Sequence, residues 1–109
     1  MSIQDRVALT GRLSISLNGK VVQEVNNLVV TAGKSWIASR MSVATASVMS
    51  HMGVGTGSAA AADGDTALGT QLSTRSGLTT SGGVVAGAVI TYACTYAANS
   101  HTGAITEAG

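Results

Sequence analysis

Residues 7–17 alternate between apolar and polar positions. Val7, Leu9, Leu13, Ile15 and Leu17 fall on one side of an extended chain, and Thr10, Arg12, Ser14 and Ser16 on the other. A repeat of two is the signature of a half-covered β-strand. Asn18 and Gly19 follow at once, a pair that accepts the positive φ angles of a type I′ turn and so predicts a hairpin. Residues 20–30 read as the returning strand, with Asn26 and Asn27 marking a bulge or bend within it. At Thr31 the period changes. Trp36, Ile37, Arg40 and Met41 stand at helical spacing, Ala32 and Ala38 favour the helix, and the Thr31 hydroxyl is a suitable cap. One short helix is predicted over 31–41, then a loop over 42–47.

Alternation returns over 48–54, with Val48, Ser50, Met52 and Val54 on one face. Residues 55–66 form a long loop of small residues, within the wider stretch VGTGSAAAADGDTALGTQL of 54–72, which holds no His, Cys, Lys or Arg. The Ser/Thr-rich segment 71–80 reads as a strand exposed on one side, Gly82 and Gly83 as a turn, and 84–96 as the longest strand. Ala88, Ile90, Tyr92, Cys94 and Tyr96 share one of its faces. A loop over 99–103 and a strand beginning at 104–107 complete the pattern. Several turn-punctuated strands with one helix predict a mainly β fold, a single small jelly-roll-like β-sandwich spanning 1–109, with an N-terminal arm over 1–6.

Composition narrows the function classes. The chain has 109 residues, one Trp, two Tyr and no Phe, so large aromatics cannot dominate its core. Charge is sparse and balanced at net +1. No Lys, Arg, Asp or Glu occurs over 41–62 or over 76–106. Surface destined for protein contact is depleted in charge, although a Ser/Thr-surfaced β protein shows the same. No basic patch marks a nucleic-acid partner. Cys94 is the single cysteine, which leaves neither an intramolecular disulfide nor a cysteine metal site, and its place in an apolar run predicts a buried small hydrophobe. The start MSIQDRVAL is too charged for a signal peptide, and no apolar run has membrane-spanning length.

The residues that invite a chemical reading each fall short. Gly33, Lys34 and Ser35 follow a strand and open a helix, but the phosphate-binding loop needs an earlier glycine where Leu28 stands. Gly53, Gly55 and Gly57 give GxGxG rather than the dinucleotide-binding spacing, and read as a loop with special backbone needs. Asp63, Gly64 and Asp65 offer two carboxylates, too few for a calcium loop, and are explained by turn chemistry. His51 lies in a predicted strand and His101 in a predicted solvated turn. No nucleophile is matched to a base, and no GxSxG elbow occurs. No catalytic, cofactor-binding or metal residue is therefore assigned, and the expectation is a non-enzymatic protein without a cofactor. Trp36 is expected to be the core residue where the helix packs on the sheet, with an interface anchor as the alternative.

Three segments in order, NLVVTAGKSWIASRM (27–41), MGVGTGSAAAADGDTALGTQL (52–72) and VVAGAVITYACTYAANSHTGAITEAG (84–109), resemble the small virion structural proteins of tailed bacteriophages. The resemblance covers about two thirds of the chain. Members of that group serve as capsid cement or decoration proteins, or stand with tail fibres and baseplates. The resemblance implies a location on the virion, on the outer surface of the phage head. It implies the major capsid protein and further copies of this chain, as a homo-oligomer, for partners. Segments 1–6 and 55–66 are expected to reach across subunit seams. Related chains continue past the Glu-Ala-Gly at 107–109, so a sheet completed by a further strand or by another subunit is expected. A tail-fibre or baseplate subunit is the alternative, and a carbohydrate-binding module, which would need Tyr92 and Tyr96 exposed, is a third reading.

Overall fold

The computed structural model describes residues 1–42 and 47–109. Among them the chain is mainly strands with one short helix. The expected turn at Asn18 and Gly19 forms, with φ of 52° and 79°, the positive values that a type I′ turn requires. It joins β1 (Gly11–Leu17) to β2 (Lys20–Asn27) in an antiparallel ribbon pairing Leu13 with Val25 and Ile15 with Gln23. The bulge lies opposite Ile15 and Ser16, where Val22 is the extra residue, and not at Asn26 and Asn27. The expected strand start at Val7 is also corrected. Gly11 already pairs with Asn27, and β2 ends there because 28–30 turn into the helix. Residues 7–10 therefore have no strand to bond to.

α1 (Thr31–Ser42) matches the helical spacing closely. Its first turn is held from outside: the Thr31 amide donates to the Asp63 carbonyl at 2.8 Å, and Lys34 Nζ lies 3.5 Å from the Asp63 carboxylate. Arg40 in the last turn suits the negative end of the helix dipole. The loop expected over 42–47 is corrected at its first residue, which is still helical; positions 43–46 lie outside the described residues.

The later elements are shorter than the alternation predicts. The expected strand over 48–54 is two, β3 (His51–Met52) and β4 (Val54–Gly55), which pair with different partners. β3 pairs with β5 (Ser76–Gly77), all that remains of the strand expected over 71–80, save one bridge between Gln71 and Gly55. The long strand over 84–96 folds back on itself: β6 (Val84–Ala86) and β7 (Val89–Thr91) form a hairpin about Gly87, whose φ is 57°. β8 (Glu107–Ala108) pairs with β4. Each ladder has two strands.

No hydrophobic side chain is fully buried among the described residues. Trp36 is thus not the centre of a helix-on-sheet core. It is half-buried, and its indole donates to the Ser47 carbonyl at 2.8 Å. Cys94 is likewise half-buried rather than enclosed. The molecule measures 58 × 29 × 24 Å, with a radius of gyration of 15.4 Å against about 13 Å for a compact chain of this length. Its accessible surface is 8307 Å², against about 5,500 Å² for a compact monomer of 10.8 kDa.

Candidate functional site

The densest meeting of chain segments is a glycine-floored slot that holds β8. Gly53 and Gly109 exchange both main-chain hydrogen bonds, the Thr106 amide donates to the Gly55 carbonyl at 3.0 Å, and the Thr106 hydroxyl donates to the Gly57 carbonyl at 2.7 Å. On the other side of β4, the Thr56 amide donates to the Thr70 carbonyl and the Leu72 amide to the Val54 carbonyl, each at 2.9 Å. Segment 53–57 is therefore bonded along both edges.

Glu107 closes the slot. Its carboxylate accepts from the amides of Thr70 at 2.6 Å, Gly69 at 2.8 Å and Gly57 at 3.0 Å. These bonds, that of Thr70 foremost, hold its pKa below the ordinary glutamate value against the opposing effect of desolvation. Converging main-chain amides form a concavity for an anion, and here a side chain of the same protein fills it. The glycines are required by space. A Cβ at Gly55 would collide with the Thr70 carbonyl and the Glu107 carboxylate, and one at Gly57 would stand 2.6 Å from both carboxylate oxygens. The GxGxG run is thus neither a nucleotide loop nor a free turn, but the floor on which a carboxylate and a strand lie. A carboxylate with three amide donors and a lowered pKa is a poor proton acceptor, so the arrangement fastens the chain rather than performing acid–base chemistry.

A second cluster lies alongside. The Tyr96 hydroxyl donates to the Met52 carbonyl at 2.8 Å, and its ring meets His101 edge-on with centroids 4.4 Å apart. His101 Nε2 donates to the Thr74 carbonyl at 3.0 Å, and Ser100 Oγ lies 2.7 Å from Nδ1. Desolvation, reinforced by Cys94, pushes the Tyr96 phenol above its ordinary range. His101 follows the expected turn, closed by the Ser100 amide on the Ala97 carbonyl, but is half-buried rather than solvated; it ties 96–101 to the segment before β5. Tyr92 and Tyr96 are half-buried, which withdraws Tyr96 from the role of a flat sugar platform. His51, exposed, bonds to its neighbour Ser50 at 2.8 Å. Asp63 and Asp65 serve the turn and the helix: the Ala62 amide donates to the Asp65 carboxylate at 2.9 Å, and the Asp65 amide to the Ala62 carbonyl at 3.0 Å.

In the sequence Glu107 stands only at the start of a predicted strand, and no local pattern links it to glycines some fifty positions earlier. A lone acidic residue after thirty-one uncharged positions, 76–106, is the one signal that could have drawn attention to it. Comparison of the chain with protein-family models, with curated proteins and with solved structures gives no match.

Proposed function

We propose that this chain is a non-enzymatic capsid cement or decoration protein of a tailed phage, which binds the outer shell of the head and bridges neighbouring major capsid protein subunits. The observation that carries the reading is surface: 8307 Å² where about 5,500 Å² is typical of a compact monomer of this mass. The difference, about 2,800 Å², exceeds the ~800 Å² that one partner contributes to a standard interface several-fold. A chain with no fully buried hydrophobic side chain among its described residues gains its stability where that surface is covered. The uncharged stretches over 41–62 and 76–106 suit such contact. The ordered resemblance of 27–41, 52–72 and 84–109 to small phage virion proteins supplies the particle.

In this reading many modest interfaces repeat around the shell and add through multivalency. The jelly-roll-like sandwich is completed there, as strands of neighbouring subunits extend the two-stranded ladders. The exposed N-terminal arm 1–6 and the crest of the 55–66 loop reach over the seams. The loop's far end stays fixed by Asp63 to α1. The test is copy number per purified particle, by quantitative mass spectrometry against the major capsid protein. Copies comparable with the capsid protein are expected. A handful per particle would move the chain to a tail-fibre or baseplate position, and absence from particles would overturn the phage reading altogether.

A further inference from the structure

We infer that the outer edge of β1 is a self-association surface, on which β1 of a second copy adds antiparallel about a two-fold axis at Ser14. The inference rests on the reading of this chain as an assembly component and names the surface through which copies meet. Among the described residues, the β1–β2 ribbon packs on no other strand or helix to any extent comparable with its own pairing. An isolated two-stranded ribbon is marginal in water, and further strands on it are the ordinary remedy. Its two edges differ. β2 is protected in the usual ways, by Lys20, Glu24 and the bulge at Val22. β1 runs seven residues, GRLSISL, without bulge, proline or lysine. β6 and β7, the other ladder standing apart, are three residues each, too short to template much.

The alternation of β1 excludes one-residue slips, and pairing about Ser14 keeps most of the strand paired. Pairing about Ser14 sets Leu13 opposite the second copy's Ile15, Arg12 opposite its Ser16 and Gly11 opposite its Leu17. Apolar then meets apolar, and no like charges face each other. The two Arg12 side chains fall four positions apart, about 13 Å along the strand, beyond the ~8 Å screening length of physiological salt. The resulting four-stranded sheet, in the order β2-β1-β1-β2, gathers Leu13, Ile15, Leu17 and Val25 of both copies on one face. A shift by one residue would set Leu13 against Ser16, Ile15 against Ser14 and Leu17 against Arg12. The uncovered surface of each chain, about 2,800 Å² beyond the compact value, leaves ample area for this contact alongside others.

Cysteine scanning of the exposed face reads the register directly. In the full chain carrying Cys94→Ala, single substitutions Ser14→Cys and Ser16→Cys are oxidised mildly and run on a non-reducing gel, together with an equimolar mixture of the Arg12→Cys and Ser16→Cys proteins. Cα atoms of directly opposed antiparallel residues lie about 4.5–5.5 Å apart, inside the range a disulfide spans. Ser14→Cys is expected to form covalent dimer at least tenfold faster than Ser16→Cys, and the mixture to form the heterodimer. Equal, slow crosslinking of all three would overturn the inference, as would a wild-type chain that sediments as a monomer at high micromolar concentration. Heads that retain the chain in those cases leave the capsid reading standing and remove only the β1 contact. Rapid Ser14→Cys dimerisation by a chain absent from particles does the reverse.

Discussion

Gly55→Ala should unfold this protein more readily than any other single methyl added to its slot. Gly55 is buried, its carbonyl accepts from Thr106, and it pairs with Glu107 on one side and bridges Gln71 on the other. A methyl there overlaps the Thr70 carbonyl oxygen and the Glu107 carboxylate, and lies 2.9 Å from Glu107 Cγ. Ordinary carbon contacts need about 3.5–4.0 Å. A carboxylate can swing away, but the Thr70 carbonyl cannot, because it holds the Thr56 amide at 2.9 Å. The two edges of segment 53–57 must therefore spread. Overpacking of a fitted site costs about 1–3 kcal/mol, and a backbone obstacle on one side places Gly55→Ala at about 3. With an unfolding entropy of about 2.1 cal/mol/K per residue, 109 residues convert that to a drop of about 13 °C in Tm. At Gly57 the three atoms nearest the same methyl all belong to the Glu107 carboxylate, which can rotate into water, so the drop is smaller. At Gly64 nothing lies within 4 Å, and alanine should leave Tm unchanged or raise it by restricting the unfolded chain. Thermal unfolding followed by far-UV circular dichroism, at one protein concentration and neutral pH, ranks the three. A Gly55→Ala melt within about 2 °C of wild type, less than the shift of 1 kcal/mol, would refute the account of the slot, as would a Gly57→Ala protein less stable than Gly55→Ala.

Acid sensitivity follows from Glu107. Its pKa is lower folded than unfolded, so its stabilisation is present above the unfolded glutamate value and fades as pH falls through the lower folded one. Glu107→Gln should flatten that decline of the unfolding midpoint below about pH 4.5, and an unaltered pH profile would show that the three amide bonds do not form. Tyr96→Phe removes the hydroxyl bond to Met52 and should cost about 0.5–1.5 kcal/mol in urea unfolding; in wild type, ultraviolet titration should find one tyrosine resisting ionisation beyond the ordinary range. Asp63→Ala breaks an exposed ion pair with Lys34 but keeps the carbonyl that caps Thr31. It should cost no more than ~1 kcal/mol and less in high salt, whereas a large, salt-independent loss would show the side chain to be the true anchor of the loop.

The elements most legible in the sequence are those closed by neighbours along the chain. The Asn18 and Gly19 turn, the ribbon it starts and the helix over 31–42 are local, since turn conformations and a 3.6-residue repeat depend on residues a few positions apart. Where the reading failed, a distant segment decided. Alternation over 48–54 is real, but Gly53 divides it because β3 and β4 find different partners, β5 and β8. The run over 84–96 begins with apolar residues on both faces and reads as one long strand, and Gly87 at positive φ reverses it all the same. Alternation over 7–17 predicts a strand four residues longer than the one that forms, because pairing stops where β2 gives way to the helix.

By itself the sequence determined a mainly β chain with one short helix, the hairpin, the scarcity of large core side chains and the long uncharged stretches, for these are properties of composition and short-range spacing. Tertiary structure alone decided the slot. Gly55, Gly57, Gly69 and Thr70 come to Glu107 from thirty-seven to fifty-two positions away, and nothing in the GxGxG run or around that carboxylate links the two. Hydrogen bonds between main-chain groups are indifferent to side-chain identity. The residues that form them are written in the sequence only as places where a side chain would not fit, and which neighbour denies the space is known only once the chain has folded.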